Sequence, residues 1–318
     1  MGIRGSRRST LALAAVGALA STGVGVVSAR NLLTGQADQA RQVIPKSWDI
    51  PPRADGVYAP SGGPVERWEH DVPFDLHLMV FGDSTATGYG CHDAEEVPGV
   101  LLARGLAERS GKRIRLDTKA IVGATSKGLS GQVDAMFVAG PPPDAAVIMI
   151  GANDITALNG IGASARRLGD AVKRLCASGA VVIVGTCPDF GIITAIPQPL
   201  RWVTRRLGLW LARAQASAVR AAGGVPVPFA DLLSPEFLKD PESLFSDDRY
   251  HPSAAGYELA AQQLLPALCY ALGEHSGALP WESEGAENRS LGARLRLLAR
   301  RWPRRTTGVP APLVVTAR

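Results

Sequence analysis

Two uninterrupted apolar runs, residues 145–150 and 180–185, constrain the fold of this chain more than any other feature. A strand that is apolar at every position is covered on both faces, and helices laid across a parallel sheet provide that cover. The rest of the chain keeps the same rhythm. Strands are predicted at 76–81, 114–121 and 225–229, and helices at 97–108, 128–137, 163–177, 200–222 and 253–272. Within 163–177, Leu168, Val172, Leu175 and Cys176 fall on one helical face. Strands and helices in regular succession predict βαβ units, an α/β chain with helices on both faces of a central parallel sheet of about five strands. There is no internal repeat. Sheets of this kind bind ligands beyond the carboxyl ends of their strands.

This alternation occupies 71–275, read as one domain. Residues 30–70 carry Pro45, Pro51, Pro52, Pro60 and Pro64 without sustained periodicity and are expected to be a linker lying against it. The first 29 residues place Arg4, Arg7 and Arg8 before an uncharged run from 11 to 27, with Val27-Ser28-Ala29 as a small-residue cleavage site. This pattern predicts an export signal or an uncleaved N-terminal anchor, and Ser6-Arg7-Arg8 resembles the twin-arginine type. Either way, the domain is expected outside the cytoplasm, secreted or held in the cell envelope. Residues 276–318 form a basic tail in which Leu291, Leu295, Leu298 and Trp302 share a helical face among arginines. An anionic membrane or envelope polymer is its expected partner.

The formal charge of +5 is unevenly spread: 1–30 carry +4 and 285–318 carry +7, leaving 31–284 at −6. An acidic body lacks the dense basic surface that phosphate neutralisation requires, so nucleic acid is excluded as its partner. A monomer is expected. Cys91, Cys176, Cys187 and Cys269 form an even set that an oxidising compartment allows to pair. Their spacing matches no zinc pattern, and no pairing follows from it. Cys176 and Cys269 lie in helical apolar surroundings that suit buried thiols.

Four short segments carry chemistry. Ser84 follows Gly82-Asp83 at a strand-to-helix turn that can present its hydroxyl, a poor nucleophile until a base takes the proton. His251 is the best base among five histidines, with His92 as the fallback. Asp248, three residues before His251, is placed to bond Nδ1 and so free Nε2 to accept that proton. Asp247 is the less well spaced alternative. Gly123 permits close backbone approach and Asn153 offers an amide, so together with the Ser84 N–H they could cradle an oxyanion. Asp83 reads as a structural hydrogen-bonding residue, and Asp154 as a cap for the helix that follows it. Between 188 and 202, Phe190, Ile192 and Ile193 are candidates to line a substrate pocket at the same rim.

As a set, these segments resemble the blocks of the SGNH, or GDSL-type, esterase and lipase family over roughly 75–272. Ser84 matches the nucleophile, Gly123 and Asn153 the oxyanion positions, His251 the base and Asp248 the third triad member. Residues 122–129 are similar to the bacterial periplasmic thioesterase/lysophospholipase branch. Thr85 departs from the leucine in the family's name. The resemblance implies a flavodoxin-like three-layer α/β/α sandwich and an acyl-enzyme mechanism without metal or cofactor. No large lid-like insertion is evident in the sequence, so the expected substrates are small-molecule or lipid-like esters of short to medium acyl chains. Alternatives are an O-acetylesterase of envelope polysaccharide, a thioesterase or lysophospholipase, and a catalytically silent envelope-binding module.

Overall fold

In the computed structural model, residues 30–39 and 50–274 are described. The segments 1–29 and 276–318, read above as export signal and basic tail, lie outside them. Six strands form one mixed sheet: β1 (Gly56–Tyr58), β2 (Leu76–Gly82), β3 (Ile114–Thr118), β4 (Ala145–Met149), β5 (Val181–Gly185) and β6 (Val225–Val227). Their spatial order is β1-β3-β2-β4-β5-β6. The last five are parallel, with Leu78 of β2 level with Leu116 on one side and Ala145 on the other. Chain order reverses direction between β2 and β4, and this is the crevice where a doubly wound sheet holds its ligand.

The helices, in chain order, are α1 (30–39), α2 (Ser84–Thr87), α3 (Pro98–Ser110), α4 (Ser126–Ala139), α5 (Ala152–Thr156), α6 (Ile161–Ala177) and α7 (Leu200–Ala221), followed by α8 (Phe229–Leu232), α9 (Ser234–Lys239), α10 (Pro241–Leu244) and α11 (Ala254–Ala271). Local chemistry sets several of their ends. Pro98 opens α3, where its missing N–H costs nothing, and Gly111 closes it in the left-handed region. Thr125 caps α4 through Lys127 N, and Ser253 caps α11 through Gly256 N. Helices α3 and α11 pack together, while α4, α6 and α7 form the other layer. Between that layer and the sheet, Met79, Phe81, Leu129, Val133, Ile148, Leu168 and Val172 make a continuous buried core.

The linker expected at 30–70 is corrected by the structure. Residues 30–39 are helical, and Gln36 accepts from Leu200 N and donates to Gln198 O, which ties α1 to the start of α7. Strand β1 pairs antiparallel with β3, and Val57 also bridges Glu66, so the sheet gains a sixth strand. The edge of β3 would otherwise expose unpaired backbone groups. Three residues are too few for a period-2 pattern to register in sequence. Trp68 stacks on the Arg115 guanidinium at 3.5 Å, and Arg115 in turn pairs with Asp117 at 2.7 Å. The arm is thus fastened to the sheet at both ends.

Candidate active site

Ser84 stands directly after β2, at the first position of α2. Its placement begins with Gly82, whose φ of +139° suits glycine and where a Cβ would lie 1.9 Å from Met149 O. Only glycine lets β2 run this close to β4. Gln132 of α4 then holds the Gly82 backbone from both sides, Oε1 accepting from Gly82 N at 2.9 Å and Nε2 donating to Gly82 O at 2.8 Å. Asp83 caps α2 by accepting from Thr85 N at 3.0 Å, and also accepts from Gly151 N. Burial lifts the Asp83 carboxyl to about 6 against these bonds and the neighbouring His251.

The loop before α11 brings the candidate base. Arg249, at φ +53°, lets the chain double back between Asp248 and His251. His251 Nδ1 then lies 2.6 Å from Asp248 Oδ2, and its Nε2 lies 3.0 Å from Ser84 Oγ. Asp248 Oδ1 accepts from Ser246 Oγ at 2.9 Å and from the N–H groups of Tyr250 and His251, each at 2.8 Å. Burial works to raise the Asp248 pKa, but the His251 hydrogen bond and charge, with those two N–H groups, outweigh it and hold the carboxyl at about 2. Tyr89 and Tyr250 flank the imidazole, with ring centroids 4.5 and 4.9 Å away. Ser84 is 7% and His251 8% exposed, so the pair is nearly withdrawn from solvent. His92 and Asp247, the weaker candidates, lie exposed on the surface.

The proposed oxyanion donors sit on the two neighbouring loops. Gly123, at φ +78°, lies in a turn closed by Ala124 N donating to Ile121 O at 3.0 Å. Ile121 N donates to Gly82 O at 3.1 Å, which fastens this turn to the end of β2. Asn153, in α5, donates Nδ2 to Ala124 O at 3.0 Å, leaving its amide a second N–H to offer. Asp154 does not cap the helix that follows it, α6, whose N-cap is Gly160 with no side-chain cap bond, which corrects that reading. It is 3% exposed, and its carboxylate accepts from Ser126 N, Ser126 Oγ, Ser164 Oγ and Asn159 Nδ2. The Asp154 carboxylate therefore clamps the Gly123 loop to the Asn153 loop.

A narrow cavity of about 70 Å³ opens beside Ser84, with Ile192, Ile193, Phe237, Phe245 and His251 in its walls. Phe190 is not among them, which corrects its assignment to the pocket. It is fully buried and packs on Gly208 of α7, where a Cβ would meet its ring at 2.9 Å. The four cysteines are free thiols. No group of three or more His, Cys, Asp or Glu side chains among the described residues could hold a metal ion.

Sequence reasoning missed Gln132 and Gln215, the latter donating to Ile150 O and accepting from Cys187 N between the ends of β4 and β5. Each is a polar residue on an otherwise apolar helical stripe, Gln132 among Leu129, Val133 and Met136, Gln215 among Leu211, Ala212 and Val219. A lone amide in such a stripe was the available signal.

Comparison with known proteins adds sequence evidence to this geometry. The model of the GDSL-like Lipase/Acylhydrolase family matches residues 80–259. The GDSL-like esterase Rv1075c of Mycobacterium tuberculosis is 72% identical over 268 residues, 84% of this chain and 85% of that protein. Among solved structures, the psychrotrophic esterase EstA from Pseudoalteromonas sp., inhibited by monoethylphosphonate, is 22% identical over 63% of this chain and 100% of its own, with a TM-score of 0.48. The acetylxylan esterase Axe2 from Geobacillus stearothermophilus is 18% identical over 65% of this chain and 99% of its own, with the same score.

Proposed function

This chain belongs to the GDSL-like lipase/acylhydrolase family and is a carboxylic ester hydrolase, and we propose that it cleaves its substrate through Ser84, His251 and Asp248. The observation that carries the proposal is the unbroken line from Asp248 Oδ2 to His251 Nδ1 at 2.6 Å and from His251 Nε2 to Ser84 Oγ at 3.0 Å. His251 Nε2 takes the Ser84 proton as Oγ attacks the ester carbonyl carbon. The tetrahedral oxyanion is held by the N–H groups of Ser84 and Gly123 and by the free amide N–H of Asn153. His251 then gives its proton to the leaving alcohol as the C–O bond breaks. Water, deprotonated by His251, attacks the acyl-enzyme and releases the acid and Ser84. Asp248 stays ionised throughout, fixing the imidazole tautomer and stabilising the imidazolium.

The cavity beside Ser84 is small and largely apolar, which supports substrates with a short to medium acyl chain. Export, with the enzyme secreted or retained at the envelope, is supported by Arg4, Arg7, Arg8 and the uncharged run behind them. The basic tail would then hold it to an anionic surface. Ser84→Ala is expected to abolish hydrolysis of p-nitrophenyl acetate and labelling by a fluorophosphonate probe. Substantial turnover by that variant would refute the assignment.

A further inference from the structure

We propose that the chain carries a second, aliphatic-chain subsite beside the nucleophile, roofed by residues 50–55. This inference rests on the serine mechanism above and names where a second alkyl part of its ester lies, apart from the cavity at His251. A cleft of about 250 Å³, open to solvent on one side, lies between that roof, the end of α2, the start of α3 and the carboxyl end of β3. It shares no wall residue with the cavity of about 70 Å³ at His251.

Its walls stand one step from the reacting groups. Thr87, one helical turn after Ser84, lines it and donates Oγ1 to Ser84 O at 2.9 Å. Val122, also in the wall, immediately precedes Gly123, and Ile121 beside it is tied to Gly82 O. The interior is aliphatic, with Val100 and Leu116 at 1% and 2% exposure. Arg53, Asp55, Thr87 and Thr118 add polar groups to its walls. At its edge Ile50 and Ile121 are 87% and 59% exposed, apolar surface that an alkyl chain would cover. The roof is already in place, because Asp55 accepts hydrogen bonds from the Thr118 side chain and backbone, and β1 continues directly from it. A preformed wall costs the ligand little ordering entropy. The roof lies outside residues 80–259, so the subsite combines this chain's N-terminal arm with walls from the segment matched by the family model.

Either half of an ester can supply the alkyl chain, so the test uses two series. One comprises p-nitrophenyl esters of straight-chain acids from two to eight carbons, the other acetate esters of straight-chain alcohols over the same range. In one series, kcat/KM of the full-length protein is expected to rise about fourfold per buried CH₂ until the cavity is full. Which series rises identifies the half that enters. Ala54→Phe, filling the space from the roof, should lower the six-carbon substrate of that series about tenfold or more and leave the two-carbon ester within twofold. Val100→Ala, enlarging the floor, should move the optimum to longer chains. Profiles of both variants superimposable on the parent in both series, or a parallel fall for all substrates, would overturn the subsite. Acetate turnover and fluorophosphonate labelling of Ser84 report the serine mechanism separately, and their loss in the parent protein would sink that reading first.

Discussion

Replacing Asp248 by asparagine isolates the tautomer-setting role proposed for its carboxylate. Oδ1 already accepts from three donors, Ser246 Oγ and the N–H groups of Tyr250 and His251. An NH₂ group placed there would face all three, so the amide oxygen takes that position and the NH₂ turns toward His251 Nδ1. That nitrogen must then accept, and the imidazole proton moves to Nε2, which points at Ser84 Oγ from 3.0 Å. The base is blocked by its own proton while every bond to Oδ1 survives. An amide at the corresponding position of a serine triad costs about 10⁴ in kcat, or roughly 5–6 kcal/mol of transition-state stabilisation. Asp248→Ala instead orphans four part-buried groups, each costing up to about 1–3 kcal/mol, and should destabilise the fold as well. The assay pairs kcat for p-nitrophenyl acetate with thermal melting of both variants. An asparagine variant that keeps more than about a tenth of parental kcat would refute the tautomer argument, as would one that melts as early as the alanine variant.

Four further outcomes are expected. Asp248, held at about 2 against an ordinary 3.8, contributes stability that is present above pH 4 and lost as pH falls toward 2, on the order of 2 kcal/mol. Asp83, raised to about 6, acts oppositely: its contribution is intact below pH 4 and lost as pH rises through 6, on the order of 3 kcal/mol. Asp83→Asn should therefore raise the melting temperature at pH 8 and change it little at pH 4, and equal shifts at both would contradict the assignment. Gln132→Leu leaves Gly82 N without its partner, and melting about 2–4 °C earlier per kcal/mol lost, with a lower kcat, is expected by calorimetry and steady-state assay. Asn153→Ala should lower kcat by about 10²–10³ and leave KM little changed, while an unchanged kcat would remove it from the oxyanion cradle.

The parallel sheet was legible because 145–150 and 180–185 are apolar throughout, a pattern that depends only on each strand being covered on both faces. The four chemical segments were legible for a related reason: each is short, and its residue types are dictated locally by a turn, a cap or a three-residue spacing. The arm at 50–70 was not, since β1 exists only because β3 offers an open edge, and nothing in Gly56–Tyr58 signals that neighbour. Phe190 looked like a pocket residue by its place in the loop, yet Gly208, eighteen positions on, gives it a buried seat instead.

The sequence by itself determined the layer order and the candidates for nucleophile, base and carboxylate, because hydrophobic periodicity and turn chemistry act over a few residues. Tertiary structure alone decided that Ser84 and His251, 167 positions apart, meet at 3.0 Å, and that Gln132, Gln215 and Asp154 hold the loops which frame them. Those bonds join groups that are distant along the chain, and their partners are chosen by which strand ends the folded sheet brings side by side.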